Sequence, residues 1–158
     1  MVAKRSAGLV LFRDRGAGTE VLIGHMGGPL WARRDERGWS FPKGEYGPDE
    51  EPMAAACREF EEELGLAPPA GEWLPLGENR QQGGKLVTLW ALEGDLDIAS
   101  VVPGTFTMEW PPRSGRVREF PEIDRVEWAG TAVARDKLVE GQVVFLDRLE
   151  DLLRTNRP

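Results

Sequence analysis

Residues 51–66, EPMAAACREFEEELGL, leave few options other than an amphipathic helix. Met53, Cys57, Phe60 and Leu64 recur at spacings of four, three and four, the period of one helical face. Pro52 suits a first helical turn and Gly65 a C-terminal stop. Glu51 is a weaker N-cap than Ser, Thr or Asp, although Asp49, Glu50 and Glu51 all suit the positive end of the helix dipole. The same segment carries Glu59, Glu61, Glu62 and Glu63 within about one and a half turns. Like charges three or four residues apart repel by about 0.2–0.5 kcal/mol per pair, so folding gains nothing from them. Glu59, Glu62 and Glu63 sit at i, i+3 and i+4 and share one face. That face is either solvated or built for a hard divalent cation such as Mg2+ or Mn2+, which takes oxygen ligands.

The rest of the chain bounds the alternatives. Its 158 residues fit one domain, 1–158, with a core large enough to fold alone. No apolar run approaches the ~20 residues that span a bilayer, and residues 1–13 lack the apolar core of a secretion signal. A cytoplasmic protein without membrane contact is expected. Cys57 is the only cysteine, so no intramolecular disulfide can form, and its place on the apolar stripe marks it as a small buried hydrophobe. The net charge of −7 opposes non-specific binding of nucleic acid. An anionic ligand then needs a metal ion or a local basic cluster to meet it. His25, the only histidine, is read as structural.

Strands are expected at 5–12 and 20–25 around a Gly-rich turn, at Trp39–Phe41, and at 72–79 and 85–93. Two more are expected near 105–109 and at 125–129. A Gly- and Arg-rich loop fills 26–38, a glycine loop 43–50, and an irregular Pro-rich segment 94–125. Helices are expected at about 51–64, 130–138 and 141–155, the last with apolar spacing at Val144, Phe145, Leu149, Leu152 and Leu153. The mixture implies an α/β (α+β) architecture, a mixed β-sheet sandwiched between helices.

Reading on from Gly44, five residues lead to Glu50 and seven more to Arg58-Glu59-Phe60-Glu61-Glu62-Glu63-Leu64-Gly65-Leu66. Every specified position of the Nudix box, G-x5-E-x7-R-E-U-x-E-E-x-G-U with U a bulky apolar residue, is matched. The chain therefore resembles the Nudix hydrolases, and the order of its strands and helices is similar to the Nudix fold, an α/β/α sandwich. The resemblance implies an Mg2+- or Mn2+-dependent pyrophosphohydrolase using two or more ions. It implies Glu59, Glu62 and Glu63 as metal ligands, the Lys43 carbonyl as a further one, and Arg58 paired with Glu50 to orient the glutamates. Gly44 would let the backbone turn close to the metal and substrate. Many such hydrolases add a glutamate six residues ahead of a late-strand tryptophan. Glu122 stands six before Trp128 and is the leading choice for a further metal ligand or general base, ahead of Glu119 and then Glu109.

FPKGE resembles the diadenosine and diphosphoinositol polyphosphate branches, and residues 25–45 and 109–125 resemble a bacterial subgroup near the diadenosine polyphosphate hydrolases. The tyrosine of many diadenosine hydrolases and the proline of many ADP-ribose hydrolases are both missing near Gln82. Arg5, Lys43, Arg80 and Lys85 are candidate phosphate partners, and Trp31, in a loop, a candidate for stacking on a base. A small-molecule nucleoside or dinucleoside polyphosphate is the expected substrate. A nucleoside diphosphate sugar, a 5′ RNA end and a non-catalytic nucleotide-binding regulatory module are the alternatives. The oligomeric state, monomer or homodimer, is left open.

Overall fold

In the computed structural model, which describes residues 4–155, the sheet is organised around β1 (Arg5–Asp14). Its run RSAGLVLF has no polar alternation, as expected of a strand covered on both faces. Leu9 and Leu11 point into one apolar cluster, Val10 and Phe12 into the other. β2 (Thr19–Met26), β3 (Trp39–Ser40) and β4 (Lys43–Tyr46) follow, then α1 (Pro52–Leu64). β5 (Leu74–Arg80) and β6 (Leu86–Glu93) lead to a hairpin of β7 (Thr105–Glu109) and β8 (Val117–Pro121). β9 (Ile123–Gly130), α2 (Thr131–Lys137) and α3 (Val143–Thr155) complete the described chain.

The seven-stranded sheet runs β3-β2-β1-β6-β5. β6 lies parallel to β1 from Arg5 to Phe12. The other edge of β1 is divided between two antiparallel partners, β4 over Arg5–Gly8 and β2 over Phe12–Asp14. β9 pairs with β2. α1 covers the face of Leu9 and Leu11 with Phe60 and Leu64, and α3 covers the opposite face with Phe145, Leu146 and Leu149. Each such side chain, fully buried, contributes about 1.5–3 kcal/mol. The expected mixed sheet between helices is what the chain forms.

Three local expectations need correction. The glycine loop at 43–50 begins as a strand, because β1 offers Arg5–Gly8 a free edge that Lys43–Tyr46 fills. The segment 94–125 contains the β7–β8 hairpin, of which only the first strand was expected. Phe106 faces Phe120 across it at 6.0 Å, a cross-strand pair that needs both strands. The buried face of α1 is Ala55, Ala56, Phe60 and Leu64, whereas Met53 is 47% exposed and Cys57 half-buried. Ala55 and Ala56 pack on Ala7 of β1, and small residues on both sides bring the helix close to the sheet. That rotates the stripe away from Met53. Burial and the charge of Glu61 push the Cys57 thiol above its ordinary range, so it is not an activated nucleophile. Gly65 ends the helix in the left-handed conformation at φ 72°. Among the described residues no helix is long and apolar enough to cross a membrane.

Candidate functional site

α1 lays its carboxylates along the end of β4, and the two elements enclose a cavity of about 460 Å3. Lys43, Gly44, Glu59, Glu62, Glu63 and Glu122 line it, with Trp31 and Phe106 at its sides. Four of the expected ligand side chains and the backbone of Lys43 are thus brought together. The close fit of helix and strand depends on Gly44, where a Cβ would stand 2.0 Å from the Glu59 carboxyl. The Lys43 N–H donates to Glu63 Oε2 at 3.2 Å.

Burial sets the electrostatics. It pushes Glu63 up to about 8, although the Lys43 ammonium opposes the shift. Burial also raises Glu59 against the pull of Arg58, and raises Glu122, which the charges of Glu59 and Glu62 push further. Lys43 is lowered by burial, with Glu63 opposing. Glu59, Glu63 and Glu122 are thus ionised at a cost that a cation would remove.

Arg58 organises the set from outside. Its Nε and Nη2 donate to the two oxygens of Glu50 at 2.7 and 2.8 Å, a bidentate pair. Its Nη1 donates to Glu59 at 2.8 Å and to Glu62 at 3.2 Å. The hydrogen bond to Glu50 is the largest influence holding Arg58 protonated, and it draws Glu50 below its ordinary range. The expected Arg58–Glu50 pair is present and reaches two box glutamates as well.

Glu122 is placed by backbone bonds absent from the sequence-based expectation. The last carbonyls of α1 accept from a crossing strand of chain, Leu64 from Val102 N–H at 2.8 Å and Glu62 from Gly104 N–H at 3.1 Å. The Gly104 carbonyl accepts from Glu122 N–H at 2.8 Å, and the Glu122 carbonyl from Gly27 N–H at 2.9 Å. A Cβ on Gly104 would stand 2.6 Å from the Glu62 carbonyl oxygen, so only glycine permits the crossing. Glu119 sits exposed on β8, paired with Thr107, and Glu109 accepts from Arg113 N–H at 2.7 Å. Neither lines the cavity. Gly104, Gly27 and Phe106 carry no motif that would have disclosed them.

A second cavity, of about 680 Å3, adjoins the first and shares Met26, Trp31, Ser40 and Lys43 with it. Its far end is formed by Arg80, Gln81, Gln82 and the segment 139–142. Arg80 and Trp31 therefore both line this second cavity. Arg5 lies exposed at the start of β1, and Lys85 pairs with Glu45 at 3.1 Å; neither lines the two cavities.

The donor set fits a hard divalent cation. It is all oxygen, it is rich in carboxylates raised by burial, and the Gly44 backbone makes the room. No preformed cluster of three ligating side chains exists among the described residues. Arg58 engages Glu59 and Glu62, and the Lys43 N–H engages Glu63.

The NUDIX domain model matches residues 2–149. An RNA pyrophosphohydrolase of Stenotrophomonas maltophilia (strain K279a) is 49% identical over 49 residues, 30% of this chain and 24% of that protein. The chain thus matches about a quarter of that relative's length. A C. elegans Ap4A hydrolase binary complex superposes with a TM-score of 0.68 at 20% identity, over 95% of this chain and 98% of that one. The NUDIX domain of Shewanella oneidensis NrtR, solved with ADP ribose, gives 0.63 at 16% identity over 97% and 90%. A family model spanning nearly the whole chain, over a box whose Glu59, Glu62 and Glu63 line one cavity, places this protein in the NUDIX domain family.

Proposed function

We propose that this chain is a divalent-cation-dependent pyrophosphohydrolase that cleaves a phosphoanhydride bond in a nucleoside-linked polyphosphate, with nucleoside or dinucleoside polyphosphates preferred. The observation that carries the reading is the junction of the two cavities at Trp31 and Lys43. One end of the groove is a carboxylate cradle, and the other is a larger, mostly uncharged recess of a size typical for a nucleoside-scale ligand. Glu59, Glu62, Glu63 and the Lys43 carbonyl would hold Mg2+ or Mn2+. When bound there, such ions neutralise a pyrophosphate and acidify a water molecule.

The chain's own residues do the rest. The Lys43 ammonium, lining both cavities, neutralises phosphate oxygens at the junction. Trp31 offers a ring to a base, and Arg80 a charge at the far end. Arg58 keeps the Glu59 and Glu62 carboxylates aimed into the cradle. Glu122, at the rim and raised by its surroundings, accepts the proton of the attacking water. Glu122→Gln is expected to lower kcat about a hundredfold or more with little change in KM, and to flatten the acidic limb of the pH–rate profile. Glu119→Gln is expected to change kcat less than about threefold. Steady-state kinetics on the two variants checks this, and a crippled Glu119→Gln would move the base to the hairpin.

The likeness to an RNA pyrophosphohydrolase favours a second reading, a 5′ RNA end as substrate, which the net charge of −7 opposes. Release of phosphate and nucleotide from diadenosine tetraphosphate, nucleoside triphosphates, nucleoside diphosphate sugars and 5′-triphosphorylated RNA with Mg2+ decides between them. Turnover of the RNA alone would overturn the preferred reading. Nucleotide binding without turnover of any compound would make this a regulatory module instead.

A further inference from the structure

His25 is the only histidine of the chain and is fully buried in β2. Its Nδ1 lies 2.7 Å from Asp124 Oδ1, and its Nε2 lies 2.6 Å from the carbonyl oxygen of Arg34. A carbonyl oxygen can only accept, and so can a carboxylate. A neutral imidazole has one N–H and would leave one of these short contacts without a proton. Both are hydrogen bonds when Nε2 carries a proton and a second proton lies between Nδ1 and Asp124. The Trp39 ring lies edge-on at 5.3 Å. The other charged groups about the site are Arg125 on β9, whose Nε is 3.9 Å from Asp124 and whose guanidinium lies over Trp39, and Lys137 on α2, also over Trp39. Asp35 on the loop accepts from the Trp39 indole.

The two partners of His25 belong to the two segments that feed the groove. Arg34 closes the turn that carries Trp31: its N–H donates to the Trp31 carbonyl at 3.0 Å, and its guanidinium lies 5.1 Å over the Trp31 ring. Asp124 is two residues past Glu122. It falls where the β2–β9 register slips, His25 facing Arg125 while Met26 faces Ile123. Such a bulge re-aims the adjoining side chains. We propose that His25, bonded at both ring nitrogens, is a positioning residue that fastens the Trp31 loop to the bulge presenting Glu122, so that breaking either bond loosens both walls of the groove. This rests on the roles given above to Trp31 and Glu122, but its first test reads His25 alone.

With a single histidine, the ring signals of tag-free, 15N-labelled protein are unambiguous. Both ring nitrogens are expected to show hydrogen-bonded 15N shifts; a nitrogen with the shift of a free imidazole would overturn the proposal. The second test compares wild type with Asp124→Asn and Asp124→Ala. An asparagine can accept from Nδ1–H of the charged ring or donate to Nδ1 of the neutral one. Asp124→Asn is therefore expected to keep the affinity for a non-hydrolysable diadenosine tetraphosphate analogue within about twofold of wild type, and Asp124→Ala to lower it about fivefold or more. Equal affinities in Asp124→Ala and wild type would overturn the proposal. His25→Gln is expected to lower kcat/KM about tenfold in folded protein, through both constants. A variant with a lowered Tm and unchanged kcat and KM would show a purely structural histidine. If His25→Gln does not fold, the ring signals and the Asp124 comparison decide.

Discussion

Glu63→Gln is expected to reduce turnover about a thousandfold, about 4 kcal/mol of transition-state stabilisation, while making the metal-free protein more stable at alkaline pH. The two effects share one cause. Burial holds the Glu63 carboxyl at about 8 instead of its ordinary 4.5. The folded state therefore keeps a proton that the unfolded chain has given up, and stability falls as pH rises from about 4.5 to about 8. Glutamine carries no such penalty. Thermal melts in chelator at pH 8 should place Glu63→Gln above wild type, and Mg2+ should raise the wild-type Tm far more than the variant's. A lower Tm with Mg2+-dependent turnover intact would make the glutamate face structural and end the metal-site reading.

Arg58→Ala is expected to impair both activity and folding. One guanidinium serves Glu50, Glu59 and Glu62, so its loss leaves three carboxylates without their common partner beside Glu63. Removing one side of a buried ion pair costs about 3–5 kcal/mol, but the Arg58 side chain is 39% exposed and solvent screens it. A loss of about 1–2 kcal/mol in chemical denaturation is the discounted expectation. Activity should fall about 10- to 100-fold through weaker metal binding, as for other groups that orient ligands. Arg58→Lys keeps the charge but not the bidentate fork, and should recover stability better than turnover. Normal kinetics and stability in Arg58→Ala would remove its orienting role.

What the sequence alone determined was local and periodic. The helix of Pro52–Leu64, its Gly65 stop, the shared face of Glu59, Glu62 and Glu63 and the Arg58–Glu50 spacing are all legible, because they lie within a few residues of one another on one regular element. The strands of the large sheet are legible for the same reason, as apolar runs between turns. Glu122 was reachable only through a resemblance, by counting back from Trp128.

Tertiary structure decided what depends on distant chain. The stripe of α1 turned out to be Ala55, Ala56, Phe60 and Leu64 because Ala7, some fifty residues away, is small enough to admit the helix. Lys43–Tyr46 became a strand because β1 left an edge free. Glu122 reaches the cradle through Gly104 and Gly27, which bond backbone to backbone and so leave no side-chain pattern to read. His25 acquired two polar partners, one nine residues away and one ninety-nine, that no periodicity links. Backbone hydrogen bonds and close approaches are indifferent to residue type except where a Cβ would collide, and the collision at Gly104 exists only once the chain has folded.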